Sequence, residues 1–477
     1  MNPAWVVALR DDVSLSSADG RALTVGGPFG ETVLRRLPEG LRPVIEPLSP
    51  PGAPYGRLIG LAQRAGIPNA PAKLIYYLQL LARRGFLVLA AESAGRRLAS
   101  LEATADSFQW PKETPLTGRY VLSRFAFLRR SGECAVLESP LSKARVVLRD
   151  DRAASLVFAL STPASLECVG KRVRALSADE CAQVLGLLAA AGMLATVDEA
   201  GESEQTSRRD LQTWEFHDLL FHTRSRYGRT DAPLGATFPF AGTTGPPPAI
   251  EPPPTTAESV DLFRPDLNAA MRADPPFADV LENRRSLRKY GEQPLTAKQL
   301  GEFLYRVGRV RDEFEWDVET PAGIVPMQFT SRPYPSGGAM YELEIYPVVQ
   351  HCRDLNAGLY RYDALGHRLH RLSEWSPSVE QLIVDAGLAA DIPSVSIQVL
   401  LTISARYPRV AWKYASVSYA LILKNVGVLY QTMYLTAEAM KLAPCALGSG
   451  DSDVFAKSIG GDYYAETSVG EFLLGSR

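Results

Sequence analysis

Cysteine is scarce in this chain. The five present, Cys134, Cys168, Cys181, Cys352 and Cys445, form no CxxC pair and no paired spacing. That excludes a disulfide frame and a cysteine-ligated zinc site, and it fits a reducing compartment. Excess charge is lacking too. The formal net charge is −2, so nothing global draws the chain to nucleic acid or to an anionic membrane. Long apolar runs are missing: the longest are broken by charge, as at Arg83-Arg84, and none reaches the ~20 residues of a bilayer span. The start, Met1 to Asp12, has no basic residue before its short apolar run, so no signal peptide is expected and the cytoplasm is. A Walker loop and the dinucleotide-binding fingerprint are also absent, so nothing argues for ATP or NAD binding.

Apolar residues make up 46% of the chain and charged residues 22%, a globular balance. At 477 residues the chain exceeds the usual size of one core, so two or three domains are expected. The clearest punctuation is Pro246-Pro247-Pro248 and Pro252-Pro253-Pro254, between Ala241 and Thr256. Such a stretch cannot continue a helix or a central strand, so it reads as a semi-rigid connector. Before it lies a weak internal repeat. Tyr76 to Leu87 and Ala182 to Leu194 each read as an apolar-striped helix, a stopping glycine and an apolar strand. Short strands at Tyr120–Arg129 and Ala144–Leu148, with a helix near Ala153–Leu160, complete the pattern of a winged-helix-like module, expected twice, over 1–110 and 115–200. Two uses stand open for them: peptide recognition by strand addition at the wing's edge, or stabilisation of a dimer. A bridging segment and linker fill 201–260. Its His217 and His222 are five apart, off the one-face spacing of a helical metal pair, and no metal is expected.

The remainder, 261–477, interleaves helices and strands, so the fold class is α+β, a sheet flanked by helices. Thr296 is placed to cap a helix over Lys298–Val307. Strands are expected at Glu342–Val349, Val395–Ser404 and Gly470–Leu474, with a hairpin over Gly358–Leu372 turning at Leu365-Gly366. A long helix over Ser416–Met440 is apolar nearly all round, which suggests a helix shared by two subunits. Three motifs carry chemistry. Asn283-Arg284-Arg285-Ser286-Leu287-Arg288-Lys289-Tyr290 gathers guanidinium groups and a hydroxyl suited to phosphate, although Arg clusters are also ordinary solvated surface. Arg332-Pro333-Tyr334-Pro335-Ser336-Gly337-Gly338-Ala339 lets backbone amides approach a flat ring or an anion. Ala443-Pro444-Cys445-Ala446-Leu447-Gly448-Ser449-Gly450-Asp451 is the third, glycine-rich and preceded by a helix.

In this order and at these separations, together with Trp412-Lys413-Tyr414 and Leu429-Tyr430-Gln431-Thr432-Met433-Tyr434, the motifs resemble the nitroreductase superfamily. Within it the chain is most similar to the SagB-type dehydrogenases, flavin oxidases of thiazole and oxazole peptide biosynthesis. The resemblance covers roughly Leu281 to Leu474 and extends to the Trp214–Gly228 stretch. It implies an FMN-binding homodimer with sites at the subunit interface. Arg284, Arg285 and Ser286 would hold the flavin phosphate and Arg288 the pyrimidine edge. Pro335, Ser336, Gly337 and Gly338 would come from the partner subunit, and Leu447 and Gly448 would lie near flavin N5. Lys413 and Tyr414 match the catalytic pair, with Lys413 lowering the pKa of Tyr414 so that the phenol can act as base. Adjacent helical residues face different ways, so the pair requires an irregular entry, which Pro408 makes reasonable. Arg477 is a further cation within reach of the phosphate. The substrate implied is an azoline-bearing precursor peptide, the partner a cyclodehydratase complex, with no nucleic acid and no membrane. Two alternatives remain: a general NAD(P)H-dependent nitroreductase, and a catalytically idle scaffold that binds a leader peptide.

Overall fold

In the computed structural model the chain forms two compact units, Met1–Ala232 and Pro233–Arg477. The structure describes all residues except 1, 3, 17–22, 28–29, 35–36, 106, 110–115 and 255–257. The first unit contains the expected succession of helix and strand groups. Helices Ala70–Arg83 and Ala178–Ala190 each stop before a left-handed glycine, Gly85 at φ 69° and Gly192 at φ 67°. That conformation is nearly free only for a residue without Cβ. The expected boundary between the first two modules falls at 110–115, outside the described residues. On either side of it the two groups share one sheet: Arg96–Ala103 pairs antiparallel with Ala144–Leu148, Ala103 opposite Ala144. Two edges that would otherwise be open pair with each other. Strand addition to this sheet is thereby confined to its outer strands, Phe127–Ser131 at one end and Ala53–Pro54 at the other.

The Pro-rich stretch is not a free connector between domains. It belongs to the second unit, strapped down by side chains of that unit. Arg406 donates to Pro248 O at 2.9 Å and Ala249 O at 2.8 Å, Arg409 to Pro247 O, Arg361 to Pro252 O at 3.1 Å, and Trp412 Nε1 to Thr244 O at 2.9 Å. Proline has no N–H with which to join a ladder, so its carbonyls are left to accept from side chains.

The second unit is built on a seven-stranded antiparallel sheet, in the order Glu258–Asp261, Arg368–Glu374, Gly358–Asp363, Leu343–Val349, Val399–Arg406, Glu466–Ser476, Leu442–Ala446. Its strands alternate between two apolar cores. Leu343, Ile345, Leu401, Ile403, Phe472 and Leu474 face helices Ala297–Gly308 and Ser418–Ala439, while Tyr346, Val348, Leu400 and Leu473 face Pro377–Ala390 and Ser452–Ile459. This is the period of two along a strand, covered on both faces. Thr296 and Gln299 form a reciprocal capping box at the start of helix Ala297–Gly308. No helix among the described residues is long and apolar enough to cross a membrane, and no three His, Cys, Asp or Glu side chains among them gather as a metal site.

Candidate active site

Lys413 and Tyr414 lie between two helices. A short helix, Tyr407–Ala411, begins with Pro408 in its first turn and ends before them, and the long helix Ser418–Ala439 starts after them. The backbone between is held from outside. Gly235 and Ala415 exchange backbone bonds at 3.2 and 2.9 Å, and Phe238 N–H donates to Lys413 O at 3.1 Å. So clamped, the two adjacent side chains converge on one point, the turn at Gly338. Lys413 Nζ is 3.4 Å from Gly338 O, and a Cβ on Gly338 would sit 2.2 Å from the Tyr414 hydroxyl. A larger residue there would have to displace both side chains, at a backbone angle that favours glycine.

The electrostatics reverse the expected roles. Burial holds the Tyr414 phenol above its ordinary value, with no lowering by Lys413. Lys413 is itself held below the usual ammonium value, first by burial and then by the Arg409 cation. The fully buried Arg409 donates to Met340 O at 3.1 Å and to the carbonyls of Pro247 and Gln328, and burial brings its own pKa down to about 10. Burial thus moves the amine's pKa down and the phenol's up, the reverse of a cation lowering its neighbouring phenol.

The turn they face is strained and pinned. Gly338 and Ala339 are left-handed at φ 63° and 55°, and Tyr341 at 45°. Backbone held this way persists only where its surroundings over-determine it. Asn425, buried on the long helix, does so: Gly337 N–H donates to its Oδ1 at 3.1 Å, and its Nδ2 donates to Ser336 Oγ at 3.1 Å and Glu342 Oε1 at 2.8 Å. Ser336 Oγ in turn accepts from Tyr341 N–H at 3.1 Å and contacts Glu342 Oε2 at 3.3 Å. Pro335 opens this turn.

The arginine motif sits further along the same helix. Ser286 Oγ and the Tyr434 hydroxyl are 2.8 Å apart, Ala446 N–H donates to that hydroxyl at 2.8 Å, and the Arg284 guanidinium lies 5.0 Å from the Tyr434 ring centre. Leu287 N–H donates to Pro444 O at 2.8 Å, which ties the motif to the strand leading to Leu447 and Gly448. Among the described residues, Arg284, Arg285 and Arg288 form no ion pair with any carboxylate. Gly448 is exposed, and a Cβ there would meet nothing within 4 Å. Asn425 and Tyr434 are nine residues apart, roughly 13 Å along a helix. One chain thus presents two groups: Lys413, Tyr414 and the 335–338 turn around Asn425, and the arginine motif with 446–448 around Tyr434. Arg477 is committed elsewhere, donating to Leu442 O at 2.8 Å and pairing with Glu438.

Residues 281–475 match the model of the nitroreductase family. The C-terminal unit is a nitroreductase-family domain. Residues 120–231 match the model described as cyanobactin oxidase ThcOx. The chain is an oxidoreductase, and the two matches together support an azoline-oxidising enzyme of ribosomal-peptide modification. A nitroreductase-type protein of Methanocaldococcus jannaschii is 28% identical over 173 residues, 36% of this chain and 77% of that one. Among solved structures, the Escherichia coli microcin synthetase McbBCD complex is 19% identical with a TM-score of 0.33, over 54% of this chain and 90% of that one. A nitroreductase-type protein of Ralstonia eutropha is also 19% identical, with a TM-score of 0.35, over 51% and 98%.

Within the nitroreductase-family domain, Arg409, Asn425, Tyr434 and Glu471 were not singled out from the sequence. Tyr434 lay inside a quoted motif; the others had no local signal, because their partners are 69 to 162 residues away or depend on burial. Glu471 is buried behind the glycine-rich loop: Leu447 N–H donates to its carbonyl at 2.9 Å, and a Cβ on Gly450 would strike its carboxyl at 2.2 Å. Burial lifts that carboxyl to about 7.

Proposed function

We propose that this enzyme is an FMN-dependent azoline dehydrogenase that aromatises thiazoline or oxazoline rings in a ribosomally made precursor peptide. The observation that carries the reading is the convergence of Lys413 and Tyr414 on the strained turn at Gly338. The residues fit the flavin. Three guanidiniums without carboxylate partners and the Ser286 hydroxyl suit a terminal phosphate, and the exposed Gly448, with open space where a Cβ would be, leaves room for the edge of a flat ring. Arg284, Arg285 and Ser286 would hold the phosphate, Arg288 the pyrimidine edge, and Leu447 and Gly448 the ring near N5. The bound flavin supplies the hydride acceptor. Lys413, as neutral amine, takes the proton from the ring carbon that was the peptide Cα and becomes an ammonium. Tyr414 keeps its proton and donates a hydrogen bond that orients the ring. Because the two groups occupy different stretches of one helix, we assign Pro335–Gly338 and the pair of one subunit to the flavin held by its partner, in a homodimer that works beside a cyclodehydratase. Five free cysteines among the described residues agree with a cytoplasmic setting.

Mass spectrometry of an azoline-bearing peptide tests the assignment, since each ring oxidised loses two hydrogens. Lys413→Ala and Tyr414→Phe should both keep flavin, released by heat and identified as FMN, while ring oxidation falls. Recovery of FAD, or wild-type oxidation by both variants, refutes the reading. Rapid NADPH consumption with a nitroaromatic, and none with azolines, favours a general nitroreductase.

A further inference from the structure

The segment 233–249 follows the catalytic stretch 406–416 from end to end, running against it. Ser416 Oγ donates to Pro233 O at 2.8 Å, Gly235 and Ala415 exchange backbone bonds, and Phe238 N–H donates to Lys413 O at 3.1 Å. The Phe238 ring meets Trp412 edge-on at 5.7 Å, and Trp412 Nε1 donates to Thr244 O at 2.9 Å. Arg409 then takes Pro247 O, and Arg406 takes Pro248 O and Ala249 O. Arg406, Arg409 and Trp412 are three apart, so one side of the short helix Tyr407–Ala411 faces this strap while its end delivers Lys413 and Tyr414. Two residues with side chains are left-handed along the contact, Phe238 at φ 50° and Ser416 at φ 60°. A bulky residue held that way marks backbone that its surroundings over-determine.

Arg409 sits at the centre of this contact. Its side chain is fully buried, and it ties three pieces of chain to the helix: the catalytic turn through Met340 O at 3.1 Å, the hairpin strand Gly323–Ser331 through Gln328 O, and the strap through Pro247 O. Arg406 beside it has Glu344 and Glu251, each at 3.1 Å. Arg409 meets carbonyls alone and forms no ion pair among the described residues. A buried guanidinium without a carboxylate is a costly way to fill space, and an apolar side chain would serve packing better. Its planar fork, by contrast, can hold three carbonyls in fixed directions.

We infer that the strap 233–249 belongs to the active site and that Arg409 is its positioning residue, fixing the Gly338 turn and the strap against the helix that carries Lys413 and Tyr414. The inference rests on the roles assigned to that pair above. Arg409 also places a cation beside the Lys413 amine, which favours its neutral form. The other charged or titratable groups around these two are Tyr414, Arg406, Arg332 and Glu342.

Two substitutions separate the fork from the charge. Arg409→Lys keeps a cation but not the planar fork, and Arg409→Gln keeps donors but not the cation. Both should hold FMN at the wild-type level while kcat for azoline oxidation falls ~10- to 100-fold, with KM changed far less. In Arg409→Gln alone the pH limb set by Lys413 should also move to higher pH. Labelling of Lys413 with acetic anhydride, mapped by mass spectrometry across pH, reads the same shift without flavin or substrate. Trp412→Phe, which loses the bond to Thr244 O and keeps an aromatic ring on Phe238, should lower kcat with a native circular dichroism spectrum. Thr296→Ala destabilises the same unit at a helix cap outside this contact and should change neither kcat nor the limb. Wild-type kcat in Arg409→Lys and Trp412→Phe, losses that only follow flavin content, or a Lys413 labelling midpoint unmoved in Arg409→Gln overturns the proposal. A wild-type protein that oxidises no azoline refutes the assigned chemistry instead, and the labelling midpoint then decides this inference.

Discussion

Lys413 and Tyr414 show how far a residue's identity runs ahead of its state. Their positions in the chain were legible from the motif around them, but the direction of their tuning was not. It depends on Arg409, four residues upstream and fully buried, and on a half-buried setting that pushes an amine and a phenol in opposite directions. If the amine is the base, its neutral fraction limits the rate at low pH. Azoline oxidation should then climb with pH and level off below 10.5, the ordinary lysine value. Lys413→Ala should cost about 10²–10⁴-fold and abolish that limb, whereas Tyr414→Phe should lower the rate yet retain it. A limb that survives in Lys413→Ala would show that another group is the base. Glu471 gives a second test, on stability. Its carboxyl is raised from 4.5 to about 7 in the folded chain, so the folded state holds this proton more tightly than the unfolded one. Stability from this group is therefore complete below about pH 4.5 and is lost as pH rises through about 7, a change on the order of 3 kcal/mol. Urea unfolding at pH 5 and pH 8 should show Glu471→Gln losing less than the wild type between the two. Equal losses would mean the carboxyl is not buried as described.

Elements were more readable than the contacts between them. The capping box at Thr296, the hairpin of Gly358–Asp363 with Arg368–Glu374, and the long helix, observed over Ser418–Ala439, follow from periodicity and caps that act within a few residues. The Pro-rich stretch was misread because its composition says only that it cannot join a ladder. What it does instead depends on Arg361, Arg406, Arg409 and Trp412, more than a hundred residues later. The turn 335–341 is a similar case: two glycines announce a close approach, but Asn425, on the long helix, determines its shape. Asn425→Ala would orphan Gly337 N–H and Glu342 Oε1, leaving Ser336 Oγ on the other carboxyl oxygen, at about 1–3 kcal/mol for each group left unpaired. Thermal unfolding should detect that loss. Azoline oxidation should fall by more than flavin occupancy does, because the arginine motif rests on Tyr434 instead. Unchanged oxidation in a destabilised Asn425→Ala protein would separate this turn from the chemistry.

At the scale of the whole molecule the question is what completes the site. The long helix was read as apolar nearly all round and therefore shared between subunits. One chain covers most of it, burying Ile422, Val426, Leu429 and Met433, but leaves Tyr419 and Leu423 42% and 40% exposed, with Gly427 one turn further on. Residues at i, i+4 and i+8 make one stripe, and a partly exposed apolar stripe on the helix that pins the 335–338 turn is a surface that a second copy can cover. In a two-fold pair the helix would meet its own copy, and each turn at 335–338 would be carried to the other subunit's arginine motif. Light scattering should therefore report a dimer for the flavin-loaded protein. Tyr419→Glu with Leu423→Glu places four carboxylates across that contact, two from each chain, and should yield a monomer whose circular dichroism is native. If the site is shared, that monomer must also lose flavin and azoline oxidation together, although neither substitution touches the arginine motif. A monomeric double variant that stays yellow and oxidises azolines would mean that each chain builds its site alone.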